Sequence, residues 1–411
     1  MTSGRRRMLG GDAALIIAAQ GLRAAGYGFT AVVLGALLAA RGYGHLRAGL
    51  VLMALIAGTA VASLVVGAVA DRVGRRRSYA TFFMLIAISG ALVASSTSFW
   101  LLLAIALTGA LSTDVVDNGP ATTLEQVMLA NDDAGTASMY GVYNAVGAGA
   151  GALGALAATL PGLAGGSLHG WLFASLVPVG VGGVVLASRL TPAVEAGTAV
   201  GATGRRLTES RSVVRRLAAL FAVDAAGGGL VTTGFLSYLF SERYGVSVIA
   251  LGWLFFAVTL VQAVSVLIAP RLAKRFGLVA TMVGTHLPSN VLLAAIAFAG
   301  SFPVAAVLLL ARTTLSQMDV PTRQALVMSV VTPPERTAAA AVTNAARYTV
   351  RPVGPLVAGV AQQIALGAPL LVAGVVKGGY DLALWRWAHR LPLTQRRSGL
   401  SAASAPNPEA S

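Results

Sequence analysis

A short basic loop interrupts two long apolar stretches and reads Gly67-Ala-Val-Ala-Asp71-Arg72-Val-Gly74-Arg75-Arg76-Arg77. The stretch before it, Leu50 to Val69, contains no charged residue, and residues 78–96 after it contain none either. About 20 apolar residues in a helix span the hydrocarbon core of a bilayer. The apolar residues do not alternate with polar ones, as they would in a barrel strand. The loop is therefore predicted to join two membrane-spanning helices.

The whole chain has the composition of a membrane protein. Of its 411 residues, 56% are hydrophobic and 11% are charged, and the mean hydropathy is +0.76. A soluble globular chain has about 25% charged residues. The chain has no cysteine and only four histidines, which are far apart, so disulfides, zinc–thiolate sites and histidine-rich metal sites are excluded. We therefore expect no cofactor.

The apolar stretches predict an all-α membrane protein with twelve transmembrane helices. The predicted spans are 13–40, 47–69, 78–96, 99–129, 137–160, 169–189, 214–241, 246–269, 278–299, 303–330, 337–366 and 368–388. Cytoplasmic loops carry an excess of Lys and Arg. Most of the 30 Lys and Arg residues fall at the cytoplasmic ends if both termini are in the cytoplasm. The net charge of +15 is thus explained by basic residues that set the orientation of the chain in the membrane, and no nucleic-acid partner is expected.

The second half of the chain repeats the first at an offset of about 201 residues. Arg23–Gly26 aligns with Asp224–Gly227, and Tyr43-Gly44 aligns with Tyr244-Gly245. An offset of six helices gives two pseudo-symmetric six-helix halves in the same orientation, as in transporters with a central substrate site. The predicted segments are an N-terminal six-helix bundle at 1–189, a cytoplasmic linker at 190–213, a C-terminal six-helix bundle at 214–390 and a disordered cytoplasmic tail at 391–411.

In this setting the loop resembles the signature of the major facilitator superfamily, G-x-x-x-D-R-x-G-R-R. Residues 273–277 carry a weaker copy, in which Lys274 replaces the acidic residue. The resemblance implies a secondary transporter in which the loop helps to close the cytoplasmic side. The gate residues it implies are Gly67, Asp71, Arg72, Gly74, Arg75 and Arg76. The alternative is that the arginines only set the topology.

Charged residues inside the predicted spans are candidates for function, because they are costly in a bilayer. The resemblance implies that helices 1, 4, 7 and 10 line a central cavity, with Arg23 and Asp224 opposite each other across the pseudo-twofold axis. The predicted substrate and coupling residues are Arg23, Asp114, Asp117, Asp224, Asp319, Arg323, Asn344 and Arg347. The alternative for Asp117, Asp319, Arg323, Arg347 and Arg351 is that they brace helices without contacting substrate.

Four further residues are predicted to have structural or solvated roles. Glu125 is predicted to be solvated at the cytoplasmic end of span four. His286 is predicted to be a packing residue in a peripheral helix. Lys377 and Asp381, four residues apart in span twelve, are predicted to pair with each other.

The leading hypothesis is a proton-coupled secondary transporter that exports a small organic solute. No enzyme activity is expected, and the absence of a Walker loop argues against ATP-driven pumping. One alternative is an importer or exchanger of an anionic metabolite. Another is a transporter-like membrane sensor or lipid-handling protein. The scarcity of Lys beside Arg suggests a GC-rich bacterial gene, so the expected location is the bacterial cytoplasmic (inner) membrane, and a monomer is expected.

Overall fold

The computed structural model describes residues 3–114, 119–129, 136–163, 170–195, 207–332 and 335–388. Within these ranges the chain forms α-helices and short 3-10 turns and no strand. The helices are numbered in chain order: Ser3–Ala40 (α1), His45–Val73 (α2), Arg75–Ser95 (α3), Phe99–Leu107 (α4), Pro120–Leu129 (α5), Thr136–Ala157 (α6), Leu160–Leu163 (α7), Leu176–Ser188 (α8), Arg211–Gly229 (α9), Thr233–Tyr244 (α10), Val248–Phe276 (α11), Leu278–Ile296 (α12), Phe302–Ser316 (α13), Asp319–Val330 (α14), Arg336–Val350 (α15), Val353–Ala361 (α16) and Ala368–Ala388 (α17).

Eight helical stretches among the described residues are long and apolar enough to cross a membrane. They correspond to predicted spans one to three and five to nine. Predicted spans four, ten and eleven are each broken into two helices, and α17 in span twelve contains Lys377, Asp381 and Arg386. The count of twelve spans therefore stays a prediction.

Spans four and ten are each divided into two helices, and a proline lies at the start of the second helix. Helix α4 ends before Gly109, which has φ +72°, and α5 begins only at Pro120. Pro321 lies in the first turn of α14, after a break at Gln317 and Met318. Proline lacks a backbone N–H and fits the first helical turn, so each proline marks the start of a new helix. The breaks leave irregular backbone at mid-span, which membrane proteins tolerate where it is buried or lines a cavity.

Two glycine turns occupy matching places in the two halves. Gly74 joins α2 to α3 with φ +103°, and Gly277 joins α11 to α12 with φ +90°. Positive φ favours glycine because it has no Cβ. These turns are 203 residues apart, as are the starts of α2 and α11. Tyr43 and Tyr244, paired at an offset of 201, also have equivalent contacts, because their hydroxyls donate to the carbonyls of Thr97 and Ala299 before the next helix. The offset therefore changes by two residues between these tyrosines and the glycine turns.

The two halves contact each other where helices approach closely. Helix α1 packs on α10, α2 on α16 and α6 on α11. A side chain at Gly35 would overlap the backbone of Gly234, and one at Gly49 would overlap that of Pro355. Small residues at such crossings allow close packing of helices in lipid, where no hydrophobic force drives their association.

One group of polar contacts between the halves lies toward the end predicted to be extracellular. Ser237 donates a hydrogen bond to the carbonyl of Val32 (2.7 Å), and Tyr238 donates one to the carbonyl of Tyr43 (3.2 Å). The Tyr238 hydroxyl also lies 3.0 Å from Nδ1 of His45. These contacts hold the two halves together at this end.

At the opposite end, three carboxylates take part in hydrogen bonds that hold the described parts of the linker. Asp12 accepts from the backbone N–H of Thr191 (2.9 Å), and Glu195 accepts from the N–H of Arg75 (2.6 Å) at the start of α3. Glu335 accepts from the N–H groups of Thr208, Glu209 and Ser210, at 2.6, 3.1 and 2.9 Å. The described parts of the linker, residues 190–195 and 207–213, are thus held to both halves by hydrogen bonds to carboxylates.

Acidification is expected to release the Thr208–Ser210 turn. The hydrogen bonds from Thr208 and Ser210 lower the pKa of Glu335 to about 2, from its usual 4.5. Because the folded pKa is the lower one, this contact stabilises the fold above about pH 4.5 and is lost as the pH falls toward 2. A spin label at Glu209→Cys should become mobile over that interval. In a Glu335→Gln background it should be mobile at every pH, and an immobile label there would contradict this role.

Candidate substrate and coupling site

The C-terminal half contains a buried charge cluster centred on Asp224 of α9. Its carboxylate accepts from Nζ of Lys377 on α17 (2.5 Å) and lies 3.5 Å from Nη1 of Arg323 on α14. Nε2 of His286 on α12 lies 3.8 Å from the same carboxylate. Asp224 is 3% exposed. A buried carboxylate is tolerated where cations and hydrogen bonds compensate it, and here three helices supply them.

Asp319 and Arg323 form a local ion pair at the edge of this cluster. Nη1 of Arg323 donates to Oδ2 of Asp319 at 2.6 Å, one helical turn away on α14. The guanidinium also lies over the ring of Phe221, 5.7 Å from its centroid. Arg323 therefore connects the Asp319 carboxylate to Asp224.

The structure corrects two expectations for span twelve and span nine. Lys377 does not pair with Asp381, because its Nζ reaches across to Asp224 on α9. Asp381 instead faces α12, where it contacts Nδ1 of His286 (2.8 Å) and accepts from Nδ2 of Asn290 (2.8 Å). His286, predicted to be a packing residue, lies between two carboxylates and joins Asp381 to Asp224.

The N-terminal half contains a second buried cluster, centred on Glu125 of α5. Its carboxylate accepts from Nη2 of Arg23 (2.7 Å), from the hydroxyl of Tyr79 (2.7 Å) and from the hydroxyl of Tyr143 (2.6 Å). Arg23 also donates to Oγ1 of Thr122 at 3.2 Å. Glu125 has no exposed surface, so the prediction that it is solvated is wrong.

The expected pairing of Arg23 with Asp224 across the axis is also wrong. Each group is neutralised inside its own half, Arg23 by Glu125 and Asp224 by Lys377. The sequence contained one signal for the partner of Arg23. A guanidinium at membrane depth needs an anionic partner, and Glu125 is one of the acidic residues in predicted span four. That signal was missed because Glu125 lies near a predicted span end.

One ion pair links the two halves directly. Nη2 of Arg351 contacts Oδ2 of Asp114. Asp114 follows the end of α4 and precedes α5, and Arg351 lies at the break between α15 and α16. Both side chains are partly exposed, at 25% and 29%. The predicted site residue Asp117, three positions further on, lies outside the described residues.

The last two predicted site residues lie on α15 below Arg351. Asn344 is exposed and Arg347 is half-buried. The spacing of 344, 347 and 351 puts the three on one helical stripe. Arg351, at the end of this stripe, reaches Asp114 of the N-terminal half.

The predicted gate loop forms contacts at the ends of α2 and α3. Oδ1 of Asp71 accepts from Nε and Nη2 of Arg75, at 3.1 and 3.0 Å. Nη1 of Arg75 also donates to the carbonyl of Val194 (3.3 Å), and Arg76 donates to the carbonyl of Ser188 (3.1 Å). The loop is therefore tied to the end of the N-terminal half, next to the linker.

The charged side chains of each half form ion pairs with one another. Among the described residues, no group of three or more His, Asp or Glu residues has the arrangement of a metal site. The arrangement consists of ion pairs within each half and an ion pair between the halves. Such pairs can take different partners in different conformations.

Comparison with known proteins supports the same fold. The chain is 27% identical to the uncharacterized membrane protein YJR124C of Saccharomyces cerevisiae over 391 residues, covering 85% of this chain and 87% of that protein. The crystal structure of the nucleoside transporter NupG superposes with a TM-score of 0.70 at 15% identity, covering 91% of this chain and 97% of that one. The crystal structure of a D-xylose–proton symporter gives a TM-score of 0.69 at 15% identity, with the same coverage.

The family assignment rests on most of the chain. The family model of the Major Facilitator Superfamily matches residues 16–355, which include both charge clusters except Lys377 and Asp381. The match also includes the Asp71 loop and the Asp114–Arg351 pair. The chain is a multi-pass integral membrane protein, and it belongs to the major facilitator superfamily of transporters.

Proposed function

We propose that the chain is a proton-coupled secondary transporter that exports a small organic solute by alternating access. The observation that carries the proposal is the Asp114–Arg351 pair, which joins the halves at the breaks in spans four and eleven. The halves also pack along α1 and α10 at the end predicted to be extracellular. A substrate bound between them meets partly exposed charges from both halves, as two-half transporters require.

The Asp114–Arg351 pair is proposed to exchange its partners during the cycle. In the described conformation the two charges satisfy each other. Opening of the halves at this level separates them, and each then becomes available to a substrate group or to water. A ligand shifts such an equilibrium only through different contacts in the two states, and this pair provides that difference.

Proton coupling is proposed to act through Asp224, His286 and Asp381. Protonation of Asp224 would remove the charge that holds Lys377 and Arg323, so these cations would be free to take other partners. His286 connects Asp224 to Asp381 and offers a titratable group between them. Because the three lie on α9, α12 and α17, proton binding would alter contacts between three helices of the C-terminal half.

Removal of the inter-half ion pair is expected to shift the conformational equilibrium. A partly exposed pair contributes about 0.2–1 kcal/mol, so Asp114→Asn should change the ratio of closed to open molecules by up to about fivefold. Arg351→Gln should produce the same shift. Distances between spin labels at Thr97→Cys and Ser301→Cys would measure it.

The charge-reversed pair Asp114→Arg with Arg351→Asp is expected to restore the original ratio. Glu242→Gln, which removes an exposed carboxylate outside the site, is the matched control and should leave the ratio unchanged. If the reversed pair behaved like the single variants, the link between these two residues would be refuted.

The gate loop and the orientation of the chain are part of the same proposal. We assign Gly67, Asp71, Arg72, Gly74, Arg75 and Arg76 to the cytoplasmic closure, with both termini in the cytoplasm of a bacterial inner membrane. Impermeant thiol labelling of Arg77→Cys in intact cells and in inverted vesicles tests the orientation, since the chain has no other cysteine. Labelling in inverted vesicles alone is the expected result.

The proposed functional unit is a monomer, because the site lies between two halves of one chain. Transport in proteoliposomes, with ligands found in a thermal-shift screen of metabolites and drugs, separates the alternatives. Accumulation in inverted vesicles supports export. Movement in the opposite direction supports the importer or exchanger of an anionic metabolite. Ligand binding without any movement supports the sensor or lipid-handling role and refutes transport.

A further inference from the structure

We propose that Asp381 and Asn290 are positioning residues, which hold the neutral ring of His286 in one tautomer. Nε2 of His286 is then the atom that exchanges the coupling proton with Asp224. This inference rests on the proposed proton coupling and divides the roles among the residues that carry it. The four side chains come from α9, α12 and α17, and each has only 1–3% of its surface exposed.

Asp381 contacts two side chains of α12 that lie one helical turn apart. Its Oδ2 accepts from Nδ2 of Asn290 at 2.8 Å, and its Oδ1 lies 2.8 Å from Nδ1 of His286. The amide of Asn290 must present its nitrogen to this carboxylate, because an amide oxygen has no hydrogen to donate. Asp381 therefore has one acceptor oxygen for Asn290 and one for His286.

These contacts fix the hydrogen of the neutral imidazole on Nδ1. A nitrogen 2.8 Å from a carboxylate oxygen needs a hydrogen between the two atoms, since their lone pairs would otherwise face each other. The protonated ring nitrogen is set by the hydrogen bond that it makes, and here a carboxylate selects Nδ1–H. Nδ2 of Asn290 lies 3.3 Å from the same Nδ1 and cannot donate to it, because Nδ1 has its own hydrogen. The lone pair of the neutral ring is therefore on Nε2.

Nε2 faces the carboxylate of Asp224. It lies 3.8 Å from Oδ1, beyond hydrogen-bond distance, and the same oxygen accepts from Nζ of Lys377 at 2.5 Å. A proton on the carboxyl of Asp224 can pass to the lone pair of Nε2 once this gap closes, which leaves a carboxylate and an imidazolium. The new N–H then competes with Lys377 for Oδ1. Proton binding at His286 thus loosens Lys377 while Asp224 keeps its charge.

The surroundings of the ring make Asp381 its nearest counterion. Helices α11, α13, α14 and α17 pack against α12, and the ring of Tyr380 lies 6.1 Å from that of His286. Besides Asp381, the charged residues of these four helices are Arg271, Lys274 and Arg275 on α11, Arg312 on α13, Asp319 and Arg323 on α14, and Lys377 and Arg386 on α17. Asp319 is paired with Arg323 at 2.6 Å. Within the part of the chain that the structure describes, Asp381 is thus the carboxylate in direct contact with the ring.

The experiment records ¹⁵N NMR spectra of the purified chain, labelled at histidine, in lipid nanodiscs. The ring shifts distinguish the two neutral tautomers from each other and from the imidazolium. His286→Gln identifies the His286 signals among those of the four histidines. In the wild type we expect the Nδ1–H tautomer at alkaline pH and the imidazolium on acidification. A neutral ring with its hydrogen on Nε2 would overturn the inference without any variant.

Variants of the positioning residues test how the tautomer is selected. In Asp381→Leu, and to a smaller extent in Asn290→Leu, the neutral ring should become a mixture of both tautomers. Asp381→Asn should keep Nδ1–H, because its amide oxygen still accepts and Asn290, whose Oδ1 has no partner among the described residues, can rotate to accept from the new amide. Glu242→Gln, which removes an exposed carboxylate on α10, is the control and should leave the spectrum unchanged. A single Nδ1–H tautomer in either leucine variant would refute the positioning role of the residue replaced.

Transport separates failure of this inference from failure of the proposed function. His286→Gln should still exchange substrate at equal pH, but its accumulation of about tenfold per pH unit should fall to a ratio of one. Accumulation equal to that of the wild type would show that Nε2 does not carry the coupling proton, and the transport proposal would stand. If the wild type itself accumulates no substrate under a pH gradient while its His286 tautomer is as expected, the proposed proton coupling is refuted and the tautomer assignment stands.

Discussion

Replacement of Asp224 by Asn is expected to abolish proton-driven accumulation of substrate while substrate exchange at equal pH persists. The variant cannot release a proton from this position, and Lys377 and Arg323 lose the carboxylate they share. For one proton per substrate, one pH unit corresponds to about 1.4 kcal/mol, or a tenfold concentration ratio. That ratio should fall to one in the variant. Uptake into proteoliposomes with and without a pH gradient is the measurement.

The exchange assay shows whether the Asp224→Asn protein still folds and binds, since it needs neither a gradient nor proton movement. Glu242→Gln, an exposed position at the end of α10, serves as the matched loss of a carboxylate and should keep full accumulation. If Asp224→Asn accumulated substrate as the wild type does, Asp224 would have no part in coupling.

The largest expected effect on stability is that of Glu125→Leu. This change leaves the buried guanidinium of Arg23 without its anion and the hydroxyls of Tyr79 and Tyr143 without their acceptor. Removing one partner of a buried ion pair costs about 3–5 kcal/mol of the free energy of unfolding. Equilibrium unfolding in mixed micelles would measure the loss.

Two companion variants separate the contributions within this cluster. Tyr143→Phe removes one hydrogen bond to a charged group and should cost about 1.5–3 kcal/mol. The double variant Glu125→Leu with Arg23→Met removes both charges and should recover most of the stability, because apolar residues can replace a buried ion pair. A double variant as unstable as Glu125→Leu would show that the pairing with Arg23 is not the main effect.

The fold could be predicted from the sequence because it depends on composition and on one loop. Apolar stretches of sufficient length specify membrane helices, and the residues from Gly67 to Arg77 join two helices as predicted. The predicted loop is too long, because α2 continues to Val73 and α3 begins at Arg75, which leaves Gly74 as the turn. The local pair Asp319–Arg323 was also predictable, since one helical turn fixes its geometry. Within one helix, spacing decides which residues can interact.

The partners of charges on different helices were not predictable in the same way. Lys377 and Asp381 are spaced for a local pair, yet the rotation of α17 presents Lys377 to α9 and Asp381 to α12. Glu125 was misplaced because a sequence gives neither the tilt of α5 nor the depth of its side chains. Helix rotation is determined by packing of neighbouring helices, which one sequence does not specify.

The candidate site therefore differs from the predicted one in its arrangement more than in its members. Arg23 and Asp224 are both buried, but each belongs to a separate cluster, and they do not face each other across a cavity as predicted. The link between the halves is formed by Asp114 and Arg351, one of which was assigned to substrate and the other to bracing. His286 joined the site only through its tertiary contacts.

Alternating movement of the two halves is the central claim, and pairs of spin labels test it directly. One pair, Arg77→Cys with Arg275→Cys, reports on the end next to the linker. The other, Thr97→Cys with Ser301→Cys, reports on the end where Tyr238 contacts Tyr43. The chain has no native cysteine to interfere. Each pair should show two distances, and a change of pH or ligand that shortens one should lengthen the other. Fixed distances, or distances that change in the same direction at both ends, would contradict the account.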